Sequence, residues 1–163
     1  MKLVVALGGI VLILDQATKW IALRRLPPGV PVNVIDHLFS LTLVMNPGLA
    51  FGMLGSVPLG WRWVVALLSI GALGVLAAVA TRLLPEGGWA AAVAVGMIFG
   101  GAAGNLIDRG RFGAVVDFLD FYWRDWHWPA FNVADSAITV GVALLALRML
   151  TAPPPQSCQP PQA

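Results

Sequence analysis

Seven of the eight acidic residues in this 163-residue chain are aspartates: Asp15, Asp36, Asp108, Asp117, Asp120, Asp125 and Asp135. The chain is 58% hydrophobic and only 11% charged, so each carboxylate is costly to place and its position carries information. Asp117 lies in G-A-V-V-D-F, and Asp135 in F-N-V-A-D-S-A. Asn132 and Asp135 are three apart, Asn105 and Arg109 four apart, and Asp15, Thr18 and Lys19 form a third polar group. At those spacings the members of each set share one helix face. Two carboxylates held close together cannot both ionise and so share a proton. One then activates water while the other protonates the leaving nitrogen of a peptide bond. That is hydrolysis without a metal or a covalent intermediate. An ion or proton pathway would use the same residue types, and spacing alone leaves both readings open. There is no competing nucleophile: His37 and His127 fall in loops, and the chain has neither a G-x-S-x-G elbow nor an H-E-x-x-H zinc motif.

The elements that must position these groups follow from composition. An ordinary soluble domain is roughly 25% charged, and a mean hydropathy of +0.81 excludes that class. The chain reads as an all-α membrane protein, a four-transmembrane-helix bundle with a small extracytoplasmic β platform. Residues 63–81 and 87–107 carry no charged side chain, and each is long enough for a crossing that uses about 20 residues. The first span is expected over residues 3–23, through Asp15 and Lys19, and the last over 131–150, with Asp135 near its start. Ionisable groups inside a span usually face a polar interior and mark function. Lys2 followed by an apolar run also resembles a signal peptide, but D-Q-A-T-K-W offers no small-residue cleavage site, so the segment is expected to stay as a helix. Gly96, Gly100 and Gly104 have the spacing that lets helix backbones approach closely in lipid.

The long loops, residues 24–60 and 108–130, are not filler. Residues 37–45 alternate Phe39, Leu41, Leu43 and Met45 against Ser40, Thr42 and Val44, which predicts a short amphipathic strand ending in an Asn46-Pro47-Gly48 turn. Six of the seven tryptophans, including Trp20, Trp61 and Trp126, fall at span ends or in these loops, as an aromatic belt would place them. Asp36, Asp120 and Asp125 fall in these loops, where water solvates a carboxylate at little cost. Asp120, within the apolar F-L-D-F-Y run, would share a face with Asp117 if that run were helical and point elsewhere if it is extended. A net charge of +2 spread over scattered cations gives no basic stripe, so nucleic acid is not a partner. The single cysteine, Cys158, supports neither a disulfide nor a thiolate metal site. One domain is expected over residues 1–152, followed by a disordered Pro/Gln-rich tail over 153–163.

Five blocks stand in order along the chain: D-Q-A-T-K (15–19), N-P-G-L-A-F-G (46–52), G-G-A-A-G-N-L-I-D-R (100–109), V-V-D-F (115–118) and F-N-V-A-D-S-A-I (131–138). Together they resemble the bacterial lipoprotein signal peptidases, or type II signal peptidases, over about residues 3–150. The resemblance implies that Asp117 and Asp135 are a catalytic aspartate dyad. It also implies that Asp15, Lys19, Asn46, Gly48, Asn105, Arg109 and Asn132 shape the site and hold substrate, with no metal and no cofactor. The implied substrate is a prolipoprotein whose cysteine bears a diacylglyceryl group, cut just before that cysteine. The implied setting is the lipids of the bacterial inner membrane, multi-pass, with both termini cytoplasmic and the active site near the periplasmic face; a monomer is the separate expectation. A count of Lys and Arg in the loops points to the opposite orientation, whereas Lys2 and the N-terminal amine favour an inside start. The alternative, a small proton-coupled transporter relaying through Asp15 and Asp135, predicts inverted repeats, and the two halves do not match in sequence. The Asn46-Pro47-Gly48 turn, beside Phe51, is expected to close over the bound peptide.

Overall fold

The computed structural model describes residues 1–48 and 62–151. The expected features at Leu49 to Gly52, at Trp61 and in the tail with Cys158 lie outside the described residues. The first helix, α1 (Lys2–Arg25), runs straight through Asp15 and Lys19. Its 24 residues rise about 36 Å at 1.5 Å per residue, enough to cross a hydrocarbon core. Its burial is inverted relative to a soluble helix. Asp15, Lys19 and Ala22 are its buried residues, while Ile13 is 69% exposed and Ile10 and Leu14 are each 53% exposed. Such a helix hides its polar groups in protein and turns its apolar ones outward, as lipid requires.

The second helix, α2 (Arg62–Phe112), is broken at Gly88, whose φ of 60° and ψ of −153° few residues other than glycine adopt. The third, α3 (Val133–Thr151), closes the bundle. Among the described residues, three helices are long and apolar enough to cross a membrane, Lys2–Arg25, Gly88–Phe112 and Val133–Thr151, and a shorter apolar helix covers Leu67–Thr81. The expected glycine stripe forms the α1–α2 contact. A Cβ at Gly100 would sit 2.9 Å from Val11 Cβ, and one at Gly104 would collide with the Asp15 carboxylate. Gly104 therefore makes room for a charged group, which is a stricter demand than helix packing alone.

Four antiparallel strands form one sheet in the order β1 (Val32–Ile35), β2 (Phe39–Asn46), β3 (Val115–Trp123), β4 (Trp126–His127). The expected strand is present as β2. The strand β3 replaces what the sequence suggested was an aromatic loop. Its first four residues are buried on both faces, so the run lacks the alternation that marks a half-exposed strand. The sheet rests on the end of α1 and the start of α3, through a cluster of Ala22, Leu43, Val116 and Phe118 with Leu26 and Val133 against it. The predicted apolar face of β2 is not the buried one throughout. Ser40 and Thr42 are buried against Asp120, and Met45, beyond a bulge that sets Thr42 and Leu43 together opposite Phe118, is 43% exposed. Asp120 is likewise not a solvated loop residue: it is 6% exposed on β3 and bonded to Ser40, Thr42 and His127.

Substituting Gly104→Ala should destabilise the protein by about 1–3 kcal/mol through overpacking. The measurement is thermal unfolding of the purified protein in detergent, with Gly9→Ala as the control, since a Cβ at Gly9 meets nothing within 4 Å. Equal melting temperatures for the two variants would show that the Asp15 carboxylate does not need the space at Gly104.

Candidate active site

One turn of α1 sets Lys19 four residues after Asp15, so both side chains leave the same face. The Lys19 ammonium lies 2.9 Å from Asp15 Oδ2 and 2.8 Å from Asp108 Oδ2, and donates to Asn105 Oδ1 at 2.9 Å. That uses all three of its protons. The remaining oxygens of the two carboxylates are also occupied. Asp15 Oδ1 accepts the Ala134 N–H at 3.0 Å, and Asp108 Oδ2 also accepts the Val116 N–H at 3.1 Å. Gln16 Nε2 donates to Asp15 Oδ2 at 3.2 Å and to Asp108 Oδ1 at 3.1 Å. This network fixes α1, α2, α3 and β3 against one another through buried polar bonds.

Asn132 stands just before α3 and caps it, its Oδ1 accepting the Asp135 N–H at 2.9 Å. Its amide Nδ2 donates to Asp117 Oδ1 at 2.7 Å. Asn132 thus holds the backbone of one aspartate and the carboxylate of the other. Asn105 does the complementary work: its Nδ2 donates to Asp135 Oδ1 at 2.8 Å, while its Oδ1 accepts from Lys19 and, at 3.2 Å, from Asn132. From β2, Asn46 Nδ2 donates to Asp117 Oδ2 at 3.0 Å and Asn46 Oδ1 accepts the Gly48 N–H at 3.0 Å. Arg109 Nη2 donates to the Gly48 carbonyl at 3.2 Å, and its buried Nε has no hydrogen-bond partner among the described residues. Every residue the sequence singled out for the site therefore joins one bonded network.

Asp117 lies on the sheet. Burial, and then the negative charge of Asp135 across the site, push its carboxyl up to about 7, against the opposing pull of Asn46, Asn132 and Lys19. A carboxyl in that range can give up or take a proton near neutrality. Both aspartates open on a cleft of about 480 Å³ between the two arms of α2, α3 and β3. One end of the cleft is polar, with Asn46, Asn105 and Arg109 beside the aspartates. The rest is lined by side chains such as Leu68, Leu76, Ile98, Ile138, Val142 and Leu145. Among the described residues, no three His, Cys, Asp or Glu side chains gather as a metal site. The arrangement offers paired carboxyls and amide donors at the head of an apolar groove.

A family model described as signal peptidase (SPase) II matches residues 7–151. The chain belongs to the signal peptidase II family. It is 52% identical over 139 residues to the lipoprotein signal peptidase of Geobacter sulfurreducens, covering 85% of this chain and 86% of that one. It is 41% identical over 156 residues to the lipoprotein signal peptidase of Nitratidesulfovibrio vulgaris, covering 95% and 93%. Two solved structures described as a bacterial membrane enzyme are similar in fold. One has a TM-score of 0.75 and 28% identity over 99% of this chain and 96% of its own, and the other 0.76 and 30% over 94% and 96%. As a signal peptidase II the chain is a membrane aspartic peptidase, a hydrolase of peptide bonds, and the transporter alternative is without support.

Reading the peptidase from sequence alone missed Asp108 and Gln16. The signal for Asp108 was available: it follows Asn105 by three residues and Gly104 by four, so it shares their helix face. The expected span ended at Ile107, one residue short of it. Gln16 carries no comparable signal, because a glutamine beside Asp15 reads as ordinary helix.

Replacing Lys19 by Met would strand Asp15 and Asp108, which are 0% and 1% exposed, without a counter-charge. Breaking such a buried pair costs about 3–5 kcal/mol. Denaturant unfolding in detergent should show that loss, and an unchanged midpoint would mean that Lys19 does not hold the network together.

Proposed function

We propose that Asp117 and Asp135 are the catalytic dyad of a peptidase that cleaves diacylglyceryl-modified prolipoproteins just before the lipidated cysteine. The observation that carries this reading is the bridge through Asn132, which ties Asp117 and Asp135 together at the head of an apolar cleft. Asp117, whose proton persists to about pH 7, is the acid. Asp135 is the base. Water attacks the scissile carbonyl carbon as Asp135 takes its proton, and Asp117 protonates the amide nitrogen as the C–N bond breaks. The products are the signal peptide's new carboxyl end and the cysteine's new amine. The Nε of Arg109, which has no hydrogen-bond partner among the described residues, is a donor for a substrate carbonyl. Asp15, Lys19, Asn46, Gly48, Asn105 and Asn132 hold these groups in place, and the acyl chains lie along the apolar part of the cleft.

The setting follows the same reading. The apolar helix Leu67–Thr81 belongs to a further crossing, making four with the three longer spans. Both termini then lie in the cytoplasm, and the sheet lies at the periplasmic face of the inner membrane. The protein works as a monomer.

The test is cleavage of a purified diacylglyceryl prolipoprotein by the detergent-solubilised protein. Asp117→Asn and Asp135→Asn should each lower kcat about 100- to 10,000-fold, the range ascribed to positioned acid–base groups, while folding is preserved. Unlipidated substrate forgoes burial of acyl chains worth about 0.8 kcal/mol per CH₂. Remote binding energy of that kind serves to place the scissile bond, so kcat should fall as well as KM rise. Equal rates on both substrates would overturn the assigned substrate class.

The alkaline side of the pH profile gives a separate check. Cleavage requires Asp117 to keep its proton, so kcat/KM should fall as pH rises through about 7. Asn46→Ala removes a donor that favours the charged carboxylate, so its alkaline limb should move to higher pH.

A further inference from the structure

Asp117 and Asp120 are three residues apart on an extended strand, so they project from opposite faces of the sheet. The β2 residues that serve them are Thr42, bonded to Asp120 Oδ2 at 3.0 Å, and Asn46, bonded to Asp117 Oδ2 at 3.0 Å. Those two are four apart, an even separation, and on a regular strand they would share one face. A regular β2 can therefore supply one of the aspartates but not both. The bulge resolves this. Pairing runs Ser40 to Asp120 and Leu41 to Leu119 before it, then Val44 to Asp117 and Asn46 to Val115 after it. If the first register continued, Leu43 would oppose Asp117, and Asn46 would point away from it.

The half of β2 before the bulge is anchored by aromatic packing: the Phe39 and Phe121 rings are 4.8 Å apart, and Phe121 stacks on Phe131 at 5.9 Å. At the bulge itself Thr42 is 8% exposed, and its hydroxyl needs an internal partner there. Asp120 supplies the shorter of its two contacts, at 3.0 Å, and the Ser40 hydroxyl the other, at 3.2 Å. Asp120 Oδ2 accepts from Thr42 and, at 3.2 Å, from Ser40, while His127 Nδ1 lies 3.0 Å from Asp120 Oδ1. We infer that Asp120 is a positioning residue for peptide cleavage: from the face away from the dyad, its carboxylate holds the bulge that turns Asn46 onto Asp117. The inference rests on the dyad reading above. An asparagine at position 120 keeps the arrangement, since its Oδ1 can accept from both hydroxyls and its Nδ2 can face the His127 ring nitrogen.

The test is a double-mutant cycle on the lipidated prolipoprotein, with Asp117→Asn assayed alongside. Asp120→Leu should lower kcat about 10-fold and move KM less than about 3-fold, whereas Asp120→Asn should stay within about 3-fold of wild-type kcat/KM. In an Asn46→Ala background, Asp120→Leu should lower kcat by less than about 2-fold more, because the effect travels through Asn46. Thr42→Val, which removes one hydroxyl at nearly constant shape, should reproduce the same cycle if Asp120→Leu does not fold. Losses that multiply in the double variant, or a wild-type kcat in both Asp120→Leu and Thr42→Val, overturn the inference. An active Asp117→Asn instead overturns the dyad reading itself, so the two failures are distinct.

Discussion

A lysine ammonium buried at 2% exposure holds this molecule's polar interior together. Lys19 has no water to solvate it, so its three partners, Asp15, Asp108 and Asn105, are obligatory. They come from two helices, and each in turn binds a further element. Asp15 takes the Ala134 amide at the head of α3, Asp108 takes the Val116 amide beside Asp117, and Asn105 holds Asp135. The positions of both aspartates thus follow from satisfying one charge. A network of this kind contributes geometry more than stability, because the cost of desolvating the charges offsets much of their attraction. In the proposed reaction geometry is what counts, since two carboxyls must stay close enough to compete for a proton.

The sequence made the helical part of this plan legible and the sheet only half so. Residues 3–23 read as a span because their apolar run tolerates Asp15 and Lys19 one turn apart, and the glycines at 96, 100 and 104 marked the seam that α1 fills. The strand β2 showed through its alternation. Its partner β3 did not, because V-V-D-F-L-D-F-Y-W is buried on both faces where it carries Asp117. Nor could alternation reveal the bulge, which depends on a strand reached only after the whole of α2. Asp120 was misplaced for the same reason: its hydroxyl partners belong to β2. As for the site, helical spacing grouped Asn132 with Asp135 and Asn105 with Arg109, but it left hydrolysis and proton transfer equally open. The five ordered motifs decided between them, and family membership supports that choice.

The sheet and the helices divide the work at the site by the kind of group each can deliver. Helix α3 presents Asp135 at its third position, where an N-cap side chain reaches its backbone as a matter of helix geometry. A strand has no such local bond to offer, so Asp117 is held instead by amides from two other elements, Asn46 on β2 and Asn132 before α3. Amide side chains suit this task. Each combines a donor with an acceptor and adds no charge to a site that already holds closely spaced carboxylates.

The separation of Asp15 and Lys19 by one helical turn also bears on how such a chain enters a bilayer. The N-terminal helix is made before Asp108 and Ala134 exist to receive its polar groups. At that stage the 2.9 Å pair within α1 is the one neutralising contact its own sequence provides. Spacing the two charges four apart on one face lets the newly made helix carry them as a self-compensated dipole. The later helices then add Asp108 and Asn105 to the same ammonium, and the first partnership persists within the larger one.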